Sequence, residues 1–162
     1  MNRVEIVEVA DADFAAMLRG AATLDGGLAL PPGGVDEPAV LEHVRVMAAR
    51  LRAQDYPAHW MVVAGGEVVG LCGIKHPPSS AGEVEIGYGI AASRRRRGHA
   101  TAAVAALLDT ARGDPRVRAV LATTAVANTA SQRVLAKNGF ERIGRSHDPG
   151  DGELIVWRVA LS

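Results

Sequence analysis

The stretch Glu83-Val84-Glu85-Ile86-Gly87-Tyr88-Gly89-Ile90-Ala91, followed after Ala92 by Ser93-Arg94-Arg95-Arg96-Arg97-Gly98-His99-Ala100-Thr101, decides how this chain folds. In its first half a period of two puts Val84, Ile86, Tyr88 and Ile90 on one face and Glu83, Glu85, Gly87, Gly89 and Ala91 on the other. This predicts a strand with one core face and one nearly bare face. Two glycines inside a strand cost stability, so they mark a bulge or a place where another group approaches the backbone closely. A carboxylate at the head of such a groove, Glu85, is a candidate for chemistry. In the second half the period changes: Val104, Leu107, Leu108 and Ala111 fall at helical spacing, so the arginine-rich loop opens a helix. Unpaired amides and the positive end of the helix dipole then share one small volume, which suits phosphate. Gly98 and Ala100 keep that loop narrow enough for an anion to reach the backbone, and the arginines supply positive charge.

Working outward, Val4 to Val9 reads as a half-buried strand, and Asp11 or Asp13 is expected to cap a short helix burying Phe14, Met17 and Leu18. Gly26 to Gly34 is a loop by composition. Asp36 before Pro38 is expected to start a second helix with the buried stripe Val40, Val44, Met47 and Leu51, closed by Pro57. His59 to Ala64, Val68 to Ile74 and Glu83 to Ala91 read as an antiparallel meander. Gly113-Asp114-Pro115 stops the helix that follows Gly98, and Val117 to Thr123 is a buried strand. Asn128 caps a further helix carrying Val134 and Leu135 and ending at Asn138-Gly139. Phe140 to Arg145 and Leu154 to Leu161 are two last strands around the turn Asp148 to Gly152.

The 162 residues are 48% hydrophobic, enough for one core, so residues 1–162 are read as a single domain without internal repeats. Eighteen basic side chains balance 18 acidic ones, so no global field draws the protein to nucleic acid or a membrane surface, and any anion site must be local. No apolar run reaches membrane-spanning length, and the charged start Met1-Asn2-Arg3-Val4-Glu5 is unlike a secretory signal. The one cysteine, Cys72, is expected to be a buried structural thiol in a reduced, cytoplasmic compartment. Lys75 and Lys137 are the two lysines, the other 16 of the 18 basic residues being arginine, a bias that suggests a bacterial source. Scattered histidines without metal spacing give no metal site.

With strand before and helix after, Arg95-x-x-Gly98-x-Ala100 resembles the pyrophosphate loop, Gln/Arg-x-x-Gly-x-Gly/Ala, of the GNAT superfamily of N-acetyltransferases. Glu85-Ile86-Gly87-Tyr88, Asn128-Thr129-Ala130-Ser131 and Lys137-Asn138-Gly139-Phe140-Glu141 resemble its ribosomal-protein-alanine N-acetyltransferase branch, RimJ/RimL-like. The likeness is clearest from about Glu83 to Arg145. It implies an α/β (α+β) fold: a mixed, mostly antiparallel sheet of six to seven strands flanked by about four helices, with a splayed strand pair forming an acetyl-CoA cleft.

The resemblance further implies direct transfer of acetyl from acetyl-CoA to a bound amine. Amides from Arg96 to Thr101 (Arg96, Arg97, Gly98, His99, Ala100 and Thr101), with Arg95, would hold the pyrophosphate, Ile90 would offer its backbone to the pantetheine arm, and Asn128 and Ser131 would face the pantetheine and sulfur. Glu85 is the first choice to take the amine proton, ahead of Glu83, His76 and His147. A tyrosine common in the family is replaced by Leu135, so Ser131 is the nearest hydroxyl to protonate the departing thiolate, unless the thiolate leaves unaided. Three functions stay open: acetylation of a protein N-terminus, acetylation of a small amine such as a polyamine, amino acid or aminoglycoside, and a non-catalytic acetyl-CoA sensor. Against these stand plainer readings: Glu85 as a solvated or paired carboxylate, the arginine run as a solvated turn, and Asn128 as a helix cap alone. Gly20 to Pro57 and the Asp148 to Glu153 turn would flank the acceptor side, and a homodimer is the expected assembly.

Overall fold

The computed structural model describes residues 3–161; Met1 and Asn2, which belong to the amino-terminal reading, and Ser162 lie outside the described residues. The chain runs β1 (Glu5–Glu8), α1 (Asp11–Leu18), α2 (Pro38–Ala53), β2 (His59–Ala64), β3 (Glu67–Ile74), β4 (Glu83–Ile90), a 3-10 turn at Ala92–Arg94, α3 (His99–Arg112), β5 (Ala119–Ala125), α4 (Thr129–Lys137), β6 (Glu141–Asp148) and β7 (Gly152–Ala160). The strands form one seven-stranded sheet in the order β1-β2-β3-β4-β5-β7-β6. All neighbours are antiparallel except β4 and β5. This is the mixed, mostly antiparallel sheet with four helices expected from the resemblance.

The parallel pair is the feature that positions everything else. Its ladder runs from Glu83 opposite Ala119 to Glu85 opposite Leu121, whereas β4 continues to Ile90 and β5 to Ala125. Beyond Glu85 each strand keeps only its outer partner: β4 stays on β3 through Gly70 opposite Ile90, and β5 stays on β7 through Ala125 opposite Leu154. The two half-sheets therefore part, each following its own twist.

Helices cover both faces. On one, Val84, Ile86, Val104, Leu107, Val120, Leu135 and Trp157 form the larger core; on the other, Phe14, Met17, Leu41, Ala48, Met61, Val63 and Leu71 form the smaller. Each fully buried Leu or Phe among them is worth about 1.5–3 kcal/mol of transfer free energy. The buried indole of Trp157 donates to Thr124 Oγ1 at 3.0 Å, which satisfies its one polar group.

Several local readings need correction. The buried stripe of α2 is Leu41, Ala48 and Leu51, with Val44 and Met47 half-buried and Val40 exposed; the helix is turned so that Leu41 and Ala48 meet the Phe14 and Met17 cluster. Neither Asp11 nor Asp13 is the cap of α1: Ala10 holds that position. The Asp13 carboxylate instead accepts the Ala10 amide at 2.8 Å, and Asp11 pairs with Arg45 at 2.7 and 2.8 Å, tying α1 to α2. Glu37, not Asp36, precedes α2, with Pro38 in its first turn. Strand β5 begins at Ala119, because the Val117 amide is spent on the Asp114 carbonyl in a turn, and runs on to Ala125 because β7 pairs with it to the end.

Candidate active site

The site begins where β4 leaves β5. The amide of Lys75 donates to the Glu85 carbonyl and the amide of Ala91 to the Val69 carbonyl, so the odd-numbered residues of β4 turn their backbone groups toward β3. By alternation Ile86, Tyr88 and Ile90 turn theirs toward the gap. The gap is a cleft of about 360 Å³ lined by Lys75, Gly87, Tyr88, Thr124, Asn128, Ser131 and Asp151, among others. The Ile90 carbonyl receives the Arg95 Nε at 3.3 Å, leaving the Ile90 amide facing the gap.

At one end of the cleft lies the arginine-rich loop. Its first arginine, Arg94, is structural: it makes a double contact with Glu67 at 2.5 and 3.0 Å, pinning the turn to β3 and holding the Glu67 carboxyl below its usual range. Arg96 (φ 66°) and Gly98 (φ 79°) both adopt the left-handed conformation. Alternating with right-handed or extended neighbours, such residues turn successive amides inward as an anion nest. Gly98 begins α3 without any side-chain cap, so the amides of His99, Ala100 and Thr101 have no acceptor within the helix. His99 is 6% exposed, and burial together with Arg97 lowers its pKa. It therefore offers the cleft an amide, not an imidazole.

At the other end, residues of α4 meet β4 across the gap. Asn128 caps α4 by accepting the Ser131 amide at 3.1 Å, as the Asn-x-x-Ser spacing predicts. That cap fixes Ser131, whose Oγ lies 2.6 Å from the Tyr88 hydroxyl. Burial raises the Tyr88 pKa, so the phenol stays protonated at neutral pH. On the opposite face of β4, Glu85 Oε2 receives the Lys75 ammonium at 2.7 Å. Asn138 Nδ2 donates to the Thr101 carbonyl at 3.2 Å, locking α4 to the first turn of α3 and hence this end of the cleft to the loop.

The model of the "Acetyltransferase (GNAT) domain" family matches residues 3–141. The chain belongs to the GNAT acetyltransferase family. Solved GNAT structures share its fold. RimL, the ribosomal L7/L12 alpha-N-protein acetyltransferase in complex with coenzyme A, is 17% identical, with 98% of this chain and 94% of that one covered and a TM-score of 0.74. RimJ of Mycobacterium smegmatis, in complex with CoA-disulfide, is 24% identical, with 97% and 81% covered and a TM-score of 0.72. The aminoglycoside acetyltransferase AAC(6')-Ib in complex with coenzyme A is 19% identical, with 98% and 95% covered and a TM-score of 0.72. A comparison with curated protein sequences finds no match.

This GNAT domain is thus an N-acetyltransferase that uses acetyl-CoA, and its geometry fits that cosubstrate. The amides of His99 to Thr101, which have no acceptor within the helix, suit a diphosphate, and the open edge of β4 suits an amide-bearing arm. Other residues weighed from the sequence are engaged elsewhere: Glu83 pairs with Arg158 at 3.2 Å, and His76 bonds the Pro77 carbonyl at 2.8 Å. His147 lies on β6 opposite Glu153, and Leu135 is wholly buried.

Three residues escaped the sequence reading. The period of two places Tyr88 on the core face, but its hydroxyl reaches the cleft. Nothing in the sequence pattern singles out Lys75 for the site, yet its stem crosses Gly87, with Cε 3.2 Å from where a Cβ would stand. Asp36 brings Oδ2 within 3.5 Å of the Cβ position missing from Gly89, so the bare face of β4 carries a carboxylate from a distant loop. The glycine alternation is the one signal that something must cross there. Among the described residues no helix is long and apolar enough to cross a membrane, and no group of three or more His, Cys, Asp or Glu residues is arranged to hold a metal ion.

Proposed function

We propose that this chain moves acetyl directly from acetyl-CoA to the terminal amine of a protein, in the manner of the ribosomal-protein acetyltransferases whose motifs it resembles. The observation that carries the reading is the early end of the β4–β5 ladder at Glu85 beside an uncapped α3. In this reading the Arg96 to Thr101 amides and Arg95 hold the pyrophosphate, and the Ile90 amide holds the pantetheine arm. Asn128 and Ser131 face the sulfur.

A protein α-amine has a pKa of about 7.7–8.0, so a large part of it is protonated near neutral pH and needs a base before it attacks. Glu85 takes that proton. Its present partner, Lys75, sits on a flexible stem and yields the carboxylate when an acceptor enters. A strand amide near Ile90 donates to the thioester oxygen as it gains charge, and Ser131 Oγ, polarised by Tyr88, donates to the departing thiolate.

A small polycationic acceptor is the second reading. Asp151 lines the cleft and Asp36 lies over β4, so two carboxylates flank the acceptor side, and an aminoglycoside acetyltransferase is among the structures sharing the fold. Thiol release measured over a panel of peptides and small amines decides between them. The first reading expects turnover with peptide N-termini; turnover with polyamines or aminoglycosides alone would replace it. Glu85→Gln is expected to lower turnover while coenzyme A affinity persists, and unchanged turnover would remove Glu85 from the mechanism. Coenzyme A binding without acetylation of any amine would favour a sensor.

A further inference from the structure

The chain has two lysines, Lys75 and Lys137. Lys137 ends α4 on the exposed surface. Lys75 is different: it lines the cleft beside Gly87, Tyr88, Asn128 and Ser131. Its stem lies over Gly87, with Cε 3.2 Å from the point a Cβ would occupy, so any larger residue there would push it aside. Its ammonium is 2.7 Å from Glu85 Oε2, and the side chain is 40% exposed. An ion pair this exposed contributes little to stability, about 0–1 kcal/mol. Its position is the informative part. A primary amine already stands against the proposed base, on a side chain that lines the cleft where the acetyl thioester is to lie.

Resting on the acetyl-transfer reading above, we propose that Lys75 is itself an acetyl acceptor, so that the domain acetylates its own chain at this residue. The Lys75 ammonium gives one proton to the Glu85 carboxylate. The freed amine attacks the carbonyl carbon of acetyl-CoA, forming the C–N bond. The tetrahedral adduct then expels the thiolate with the C–S electron pair. The nitrogen loses its second proton and the thiolate gains one, giving coenzyme A and Nε-acetyl-Lys75. No oxidant or further reactant is needed. The modified side chain is neutral and no longer pairs with Glu85.

The test incubates the purified full chain with acetyl-CoA, follows intact mass, and maps the label to Lys75 or Lys137, with coenzyme A affinity measured by calorimetry on the same preparation. Proximity of amine, base and thioester should make Lys75 react at least about tenfold faster than Lys137, at a rate independent of protein concentration. Lys75→Arg should abolish the mapped label, and Glu85→Gln should slow labelling of Lys75 but not of Lys137 while coenzyme A affinity holds. Equal rates at the two lysines, a rate that rises with protein concentration, or an unlabelled Lys75 in a chain that acetylates added amines would each overturn the proposal and leave acetyl transfer standing. Failure to bind coenzyme A would overturn the acetyl-transfer reading and the proposal with it.

Discussion

Replacing Gly98 by alanine probes the loop at its most constrained point. The residue has φ 79°, and a Cβ built on it meets nothing within 4 Å. The substitution is therefore penalised by backbone conformation alone, not by collision. A left-handed residue bearing a Cβ costs roughly 1–2 kcal/mol. Two responses are open to the loop. If it keeps its shape, the folded state loses that amount of stability and the amides of α3 still converge. If it relaxes, stability is retained but the amides turn away, and coenzyme A affinity falls about 5–30-fold, the equivalent of the same energy. In both cases the coenzyme A-saturated protein loses about 1–2 kcal/mol relative to the unfolded chain. Denaturant unfolding with and without saturating coenzyme A reads the loss directly. Asparagine tolerates the left-handed region better, so Gly98→Asn should recover much of it. A Gly98→Ala protein with native stability and native affinity, or an asparagine variant as damaged as the alanine one, would refute the reasoning.

Three further outcomes follow from the same structure. Burial holds the His59 pKa at about 4, so the folded state resists protonation that the unfolded chain accepts from its ordinary value of about 6.5; stability should fall by about 3 kcal/mol as pH drops from 6.5 to 4, and a variant with His59→Phe should flatten that part of the urea-unfolding profile. A Cβ on Gly70 would stand 2.2 Å from the Gly89 carbonyl oxygen and 2.9 Å from Ile90 Cδ1; Gly70→Ala should cost at least the roughly 1–3 kcal/mol of overpacking and weaken coenzyme A binding, because β4 must shift, whereas a native melting temperature would contradict this. Tyr88→Phe removes the hydroxyl 2.6 Å from Ser131 Oγ; kcat should fall by about threefold to tenfold, the worth of a lost hydrogen bond, with KM for acetyl-CoA unchanged, and a purely raised KM would assign Tyr88 to binding instead.

Much of the fold could be read from β4 and its sequel because both obey strong periodicities. The switch from period two to period 3.6 across Gly98 located the loop, and the Gly87–Gly89 alternation located the bare face of β4. Helix caps were harder: Asp11, Asp13 and Asp36 all have capping chemistry, but Arg45 and the amides of Ala10 and Glu37 claim them. The local geometry of the candidate site was legible wherever one segment builds it, as with the Asn128 cap that sets Ser131. It was not legible where two segments meet. Lys75 reaches Glu85 only because the β3–β4 hairpin sets Ile74 opposite Ile86, and Asp36 reaches Gly89 only because the loop before α2 lies over the sheet. Those pairings depend on register and loop course, which composition and spacing do not encode.

Backbone hydrogen exchange of the His99, Ala100 and Thr101 amides, with and without coenzyme A, tests the account where it is most exposed. These amides lack intrahelical acceptors, so they should exchange quickly in the free protein and become protected once a diphosphate accepts from them. Coenzyme A bound tightly with those three amides exchanging as before would contradict the account, since the anion would then rest elsewhere on the chain.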